Sequence, residues 1–441
     1  MARAMKDSGN KRLGCIPATW EVKKLKYVAQ LYTGNSIKDD EKERYEDPVD
    51  AVPYLSSKDI DVTFLTADYE NGMYVKKDDA SFKFAPAGST LMCIEGGSAG
   101  RKKTKLKHQV AFVNKLCCFS PTSVDNSFLF YWLCSPNFED EFKQNITGLI
   151  GGVSISVLQN METAIPPLDE QACIVHYLDT ECARIDAVME QTRASIEEYK
   201  KLKQSIITEA VTKGIRPNRP MKDSGIDWIG QIPEEWNVQR IKSIFTLRDE
   251  RNYLPLEEVN LISLYTDKGV VQHADLEQTT GNKASNADGY KKVYPDDIVV
   301  NIILCWMGAI GRSDYEGVTS PAYDIYIPSE MIDSRYYHHY FRTQGFSGEC
   351  YKRGKGIMAM RWRTYSDQFR DIPVLVPPIE EQKEILRYLD DTSNKMDTLI
   401  TKKEQFLSEM ESYKKSLIFE YVTGKKEVEP SPTERKEHYA R

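Results

Sequence analysis

The sequence contains two copies of one long pattern. Near the start stands Met5-Lys6-Asp7-Ser8-Gly9, followed by Gly14, Ile16-Pro17 and Trp20. Later stands Met221-Lys222-Asp223-Ser224-Gly225, followed by Gly230, Ile232-Pro233 and Trp236, offset by 216 residues throughout. A second pair, Ile165-Pro166-Pro167-Leu168-Asp169-Glu170-Gln171 and Val376-Pro377-Pro378-Ile379-Glu380-Glu381-Gln382, is offset by 211 and runs without a gap to Val211-Thr212 and Val422-Thr423. A period this long is a domain duplication; solenoid repeats have periods of about 20–50 residues. The 441 residues are therefore two units, one of them shorter by a small net deletion. The ends of the units match. The middles, 21–164 and 237–375, barely resemble each other apart from echoes such as Gly100-Arg101 and Gly311-Arg312. One scaffold carrying two specificities accounts for this pattern; neutral drift of loops is the other reading.

The segments 168–212 and 379–423 predict long helices. Each follows a Pro-Pro step, carries acids in its first turn that suit the positive end of a helix dipole, and has no Gly or Pro inside. Apolar residues recur at heptad spacing. One position runs Val175, Cys182, Met189, Ile196, Lys203, Ala210, and the other Leu178, Ile185, Thr192, Tyr199, Ile206. The second copy gives Leu386, Ser393, Ile400, Leu407, Lys414, Tyr421 and Leu389, Met396, Lys403, Met410, Leu417. This is a coiled-coil seam. Its polar members, Lys203 with Lys414 and Thr192 with Lys403, mark where the seam is expected to open or change partner. Such a helix spans roughly 65 Å, whereas a domain of this size has a radius of gyration of about 15 Å. The expected arrangement is two antiparallel helices forming a rod between two globular domains. Because the prefix to Gly9 copies the inter-domain linker, the N-terminus is expected near the end of the second helix. The middles read as strand-rich, with strands around Ser89–Ile94, Ala111–Val113 and Ile298–Ile303 and helical patches at Phe128–Leu133 and Tyr336–Phe341. The fold class is α+β.

Apolar residues at 41% and charged residues at 28% describe an ordinary globular protein. The nine cysteines are odd in number and form no CxxC pair, the N-terminus is polar and basic, and no apolar run approaches about 18 residues. Free thiols, a cytoplasmic location and no membrane span are expected. The adjacent His338-His339 make a poor metal pair, and no metal site is expected. No Walker loop, nucleotide-fold glycine fingerprint, Asn-Pro-Pro-aromatic motif or Ser/His/Asp ordering is present. Glu381-Gln382-Lys383 has the form of a nuclease motif but falls on the repeated helix start, where it reads as helix surface.

The formal charge of −7 opposes DNA binding through the bulk field. Residues 12–164 carry 18 Lys/Arg against 20 Asp/Glu, and 228–376 carry 17 against 20. Basic character is confined to loops. Arg101, Lys102, Lys103 and Lys105 form one run; Lys352, Arg353 and Lys355 with Arg361-Trp362-Arg363 form another. Such runs suit phosphate and groove contacts, although a basic run is also an ordinary solvated face. Arg248 and Arg312, and the polar loops carrying Asn35, Ser36, Ser154 and Ser156, complete the candidate DNA contacts. The isolated chain is expected to bind DNA weakly.

The doubled Ile-Pro-x-x-Trp openings and the doubled Pro-Pro-[Leu/Ile]-x-Glu-Gln-x-x-Ile-x-x-Tyr-Leu-Asp helix starts resemble the specificity subunit of type I restriction-modification systems, the HsdS family. The resemblance covers about 12–425. It implies a target recognition domain (12–166), a spacer helix (167–214), a linker (215–227), a second target recognition domain (228–377) and a second spacer helix (378–425); 1–11 is left as an N-terminal extension, and the charged tail 426–441, with Pro430 and Pro432, is expected to be disordered. Each recognition domain would read one half of a bipartite, asymmetric site on double-stranded DNA. The helices would set the spacer and dock two methyltransferase subunits, with Leu178, Ile185, Met189, Ile196, Tyr199, Leu389, Met396, Ile400, Leu407 and Met410 as the seam and partner-binding positions. The chain would be non-catalytic. S-adenosylmethionine would belong to the methyltransferase partners, and ATP and magnesium to restriction subunits. The alternative is a DNA-binding scaffold of a related defence or regulatory complex without restriction activity.

Overall fold

The computed structural model describes residues 3–148, 151–266, 268–273, 286–356 and 362–428. The tail from 429 onward, expected to be disordered, lies outside the described residues, as does Arg361. Two compact units divide the chain: Met1–Arg193 with Gln405–Arg441, and Ala194–Glu404.

The first unit opens on a hairpin in which Met5–Asp7 pairs antiparallel with Cys15–Pro17. The segment expected to be a mere extension is therefore a strand. Glu21–Lys24 pairs with Glu162–Ile165, tying the two ends of the recognition region together. Between them, Ala29–Thr33, Leu116–Pro121, Thr90–Cys93 and Lys103–Lys105 form a four-stranded antiparallel sheet in that spatial order. A second sheet orders Tyr74–Lys76, Ala51–Leu55, Val110–Phe112 and Phe84–Ala85, with one parallel pair. Three helices follow: α1 (Asn126–Leu133), α2 (Pro136–Gln144) and α3 (Ile155–Asn160). Asp125, Ser135 and Ser154 cap them by accepting backbone N–H bonds. The first long helix, α4 (Leu168–Lys213), contributes its N-terminal half to this unit.

The second unit repeats the frame. Met221–Asp223 pairs with Gln231–Pro233, so the expected linker also holds a strand. Asn237–Arg240 pairs with Pro373–Val376. After the short α5 (Ile241–Ile244), Phe245–Arg248, Tyr323–Pro328, Ile298–Asn301 and Ile310–Arg312 form a sheet of the same order as in the first unit. Then come α6 (Ser334–Phe341), α7 (Gln344–Arg353), α8 (Ser366–Arg370) and the second long helix, α9 (Ile379–Val422). The expected strands and the helical patches at 128–133 and 336–341 are all present. The middles differ mainly outside this frame: the second unit has two two-stranded sheets where the first has its mixed four-stranded one.

Within each unit the halves of α4 and α9 run antiparallel. Tyr177 packs on Tyr421, and Lys414 Nζ donates to both oxygens of Asp186 at 2.6 and 2.7 Å. In the second unit Lys203 Nζ donates to both oxygens of Asp397 at 2.7 Å. The seam therefore does not open at Lys203 and Lys414. Each lysine is neutralised by an aspartate of the facing helix, and the two pairs are the same pair by repeat position. Lys403 lies over the Tyr199 ring, and Thr192 returns its hydroxyl to the Val188 carbonyl.

The helix ends close as the repeat predicts. Gly424 ends α9 with φ +68°, and a Cβ there would stand 2.4 Å from Pro17 Cδ. Lys425 Nζ donates to the carbonyls of Leu13 and Cys15. The N-terminal hairpin thus sits against the end of the second helix.

Candidate nucleic-acid interface

The repeated motifs are joints. Trp20 and Trp236 are fully buried, and their indole N–H groups donate to Glu170 and Glu381. Gln171 and Gln382 each donate to the first Pro carbonyl of their motif (Pro166, Pro377) and accept the backbone N–H of the cap residue of α1 or α6 (Asp125, Asp333). The Glu-Gln pair thereby fixes the recognition region to the start of its long helix. Glu381 and Gln382 are 2% and 0% exposed, so the reading as helix surface is corrected: burial and ion pairing hold them inside.

Several candidate DNA contacts are spent on the fold. Lys103 is 1% exposed, and its ammonium donates to the Leu133 carbonyl and to Glu139. A buried charge must be paired, and this one is paired within the protein. Arg248 makes a two-point contact with Asp297, reaches Glu250 and stacks on Tyr294. Burial raises the Asp297 carboxyl pKa against the opposing pull of Arg248. Arg312 is held by Asp296, Ser334 and Asp314. Of these three candidate DNA contacts, Lys103 is buried away from any outside partner, and Arg248 and Arg312 are engaged by carboxylates of their own unit. Lys102 and Lys105 donate to Ser57 and Ser127, Asn35 ties Lys83 and Tyr54, and Ser154 caps α3, with its hydroxyl 3.0 Å from that of Ser156. Arg101 and Ser36 are exposed.

The second basic run is assembled differently. The end of α7 leads into a hairpin in which Lys355 and Arg363 face each other, exchanging both backbone bonds at 2.8 and 3.0 Å. Both side chains are exposed, and neither is in an ion pair among the described residues. Lys352 and Arg353 flank them, sharing Glu349. Trp362 stacks on Tyr351 with ring centroids 4.9 Å apart and planes 22° apart, and Tyr351 also meets Trp306 at 5.6 Å. Trp306 in turn lines a cleft of about 1150 Å³ with Lys200, Lys201, Lys213, Arg342 and Trp228. Tyr351, Trp306 and the helix lysines were not singled out from sequence. No local pattern marks them, because they converge from α4, the loop after Ile298–Asn301 and α7.

The corresponding hairpin of the first unit joins Thr147 to Gly152, which also bridges to Glu95. Glu95 is the repeat partner of Trp306, 211 residues apart. One junction is thus glycine-rich and the other cationic and aromatic. His338 stands behind the second sheet, its Nδ1 accepting the Arg312 N–H. Among the described residues no cluster of three His, Cys, Asp or Glu side chains is placed to hold a metal, and no helix is long and apolar enough to cross a membrane.

The seam residues offered as partner contacts are mostly consumed within the chain. Leu178, Ile185, Met189, Ile196, Leu389 and Ile400 are buried, while Tyr199, Met396, Leu407 and Met410 are half-buried. Exposed apolar residues lie elsewhere on the same helices, at repeat-equivalent positions: Val188 with Leu399, and Leu202 with Tyr413.

A model of the type I restriction modification DNA specificity domain matches residues 17–198 and 233–408, and the chain belongs to this family. It is 23% identical over 436 residues to a putative type I restriction enzyme MjaX specificity subunit of Methanocaldococcus jannaschii, covering 94% of this chain and 95% of that one. It is 21% identical to the type I restriction enzyme EcoDI specificity subunit of Escherichia coli, covering 76% and 78%. The fold is shared with a solved structure from work on complex assembly and conformational transition of the type I R-M system, at a TM-score of 0.67 and 13% identity over 92% of this chain and 98% of that one.

Proposed function

We propose that this chain is the DNA sequence-specificity subunit of a type I restriction-modification complex. Each recognition region reads one half of a bipartite site, and the paired helices set the spacer. The observation that carries the reading is one frame built twice with unlike hairpins: Lys355 and Arg363 occupy the neck that Thr147 and Gly152 occupy in the other copy. Equivalent placement with different chemistry is what reading two unlike half-sites requires. The chain itself is non-catalytic and cytoplasmic. S-adenosylmethionine sits on two methyltransferase subunits, and ATP and magnesium on restriction subunits. The outward helix residues Val188, Leu202, Leu399 and Tyr413 suit two copies of one partner, since the same positions are exposed and apolar in both repeats.

The test is methylation-motif sequencing in a host carrying this chain and its methyltransferase. Replacing 237–375 with the matching region of another family member is expected to change one half-site and leave the other half-site and the spacer intact. A change in both half-sites overturns the reading.

A further inference from the structure

The aromatic ladder beside the Lys355–Arg363 neck has a form that reading base edges does not call for. The indole of Trp362 packs against Gly354, where a Cβ would come within 2.2 Å of its nitrogen. Its N–H donates to the Tyr351 carbonyl, and the Trp306 N–H donates to the Ile303 carbonyl. Both indole N–H groups are therefore satisfied by the protein; the two indoles are half-buried, Trp306 is tilted 57° to Tyr351, and the ring left open to an outside group is that of Tyr351. Tyr351 is 50% exposed, and Met307 and Leu304 beside Trp306 are exposed as well. A tyrosine held rigid by a stacked Trp362 yet left half in water suits a planar partner that stacks on it.

The charges around the ladder say what that partner carries. Two cations directly opposed across a hairpin repel each other, and Lys355 and Arg363 hold that position with no carboxylate in contact among the described residues. An anion between or beside them relieves the repulsion. Lys352 and Arg353 extend the same charge along the end of α7. A planar group flanked by anions is a nucleotide within a strand. Duplex DNA shows a base face only where a step is opened, and proteins open steps by inserting apolar or aromatic side chains while gripping the adjacent phosphates.

We infer that the Trp306–Tyr351–Trp362 ladder is a wedge that stacks on a base at an opened step of the second half-site, with Lys355 and Arg363 holding the flanking phosphates. The inference rests on the DNA-reading assignment above. In the first unit the sequence from Thr147 to Gly152 carries no aromatic residue and Glu95 stands where the second unit has Trp306, so the wedge acts on one side of the site only.

The test uses the full chain with its methyltransferase partners and duplexes carrying the motif found for the wild type. Single mismatches are stepped through the second half-site. A mismatch at the wedged step prepays the opening, so one position is expected to bind about tenfold tighter than the matched duplex. Tyr351→Phe keeps that gain. Tyr351→Ala loses it and binds matched DNA about tenfold to a hundredfold more weakly, with a melting temperature lowered by no more than about 4 °C. Lys355→Ala and Arg363→Ala each lower the salt dependence of binding by about one ion. If no position gains, or if the gain survives Tyr351→Ala, the wedge is overturned while the motif stands. If the wild type yields no bipartite motif, the DNA-reading assignment falls and takes the wedge with it.

Discussion

Trp236 Nε1 donates to Glu381 at 2.9 Å, and 216 residues earlier Trp20 Nε1 makes the same bond to Glu170 at 3.0 Å. An arginine completes each site. Arg219 lies 5.4 Å from the Trp236 ring centroid and 2.6 Å from Glu381, though off line for a hydrogen bond at that oxygen. Arg3 lies 5.5 Å from the Trp20 ring and bonds Glu170 at 2.7 Å. The two sites differ in burial: the Glu381 side chain is 2% exposed and that of Glu170 26%. Glu381→Ala strands a buried guanidinium and an indole N–H, and is expected to cost about 3–5 kcal/mol. Glu170→Ala, with water at hand, is expected to cost about 1–2 kcal/mol. Urea unfolding of the two variants checks the order; equal losses contradict it.

The cross-helix lysines give a register test. The Lys203 and Asp397 side chains are 27% and 56% exposed, so their coupling in a double-mutant cycle is expected to be about 0.5–1 kcal/mol and to shrink with added salt. Lys203→Asp destabilises by setting two acids face to face, and adding Asp397→Lys restores most of the loss. Failure of the swap to restore stability argues that Lys203 acts through packing of its stem rather than its charge.

The duplication, the long helices and the Lys203 and Lys414 positions were all legible in the sequence, because they follow from period and heptad spacing. The fate of the lysines was not. Heptad counting places a charge at the seam but does not show Asp186 and Asp397 facing it. The internal partners of Lys103, Arg248 and Arg312 were hidden for a related reason. A basic run records composition, while strand alternation turns Lys103 inward toward Glu139 and sets Arg248 against Asp297. The likeness of the middles was hidden because α1 and α6 share an aspartate cap and α2 and α7 a hydroxyl cap but few other residues, while α3 and α8 begin on Ser154 and Tyr365. The ladder was half legible: Trp362 sits in the basic run, whereas Trp306 and Tyr351 join it only through the fold.

The outward face of the helices separates docking from folding. Val188→Glu and Leu399→Glu alter exposed positions and are expected to change stability by less than about 0.5 kcal/mol. Both are expected to weaken methyltransferase binding, and the double variant to abolish it. Ile185→Glu buries a charge in the seam and unfolds the helix pair. Size-exclusion chromatography with the methyltransferase, alongside melting curves, distinguishes the two classes. Full complex formation by the double variant removes this face as the docking site.

His338 predicts a pH dependence. Burial first, then the neighbouring His339, Arg342 and Arg312, push its pKa down to about 3. The ring is partly exposed, yet its Nδ1 accepts the Arg312 N–H, which requires the neutral form. The unfolded chain binds this proton near pH 6.5 and the folded chain does not. Stability from this group is therefore whole above about pH 6.5 and declines as pH falls toward 3, with a slope near 1.4 kcal/mol per pH unit. His338→Asn is expected to flatten the decline by about one proton. An unchanged slope in the variant indicates that His338 is charged in the folded protein.

The cations divide by role, and two measurements on the same variants separate them. Arg248→Ala leaves Asp297 buried without its partner and is expected to lower stability by several kcal/mol while leaving the salt dependence of DNA binding unchanged. Arg363→Ala removes an exposed charge outside any ion pair among the described residues; it is expected to leave stability within about 0.5 kcal/mol and to reduce the salt slope by about one. Lys103, Arg248 and Arg312 are turned to internal partners, and each recognition region is net acidic, so the cations that face phosphates do so against an opposing field. The chain without partners is accordingly expected to bind DNA weakly and to release it as salt is raised toward physiological strength. Tight, salt-resistant binding by the isolated chain contradicts this, and a loss of that binding in Arg248→Ala at unchanged stability would return Arg248 to the DNA-contacting set.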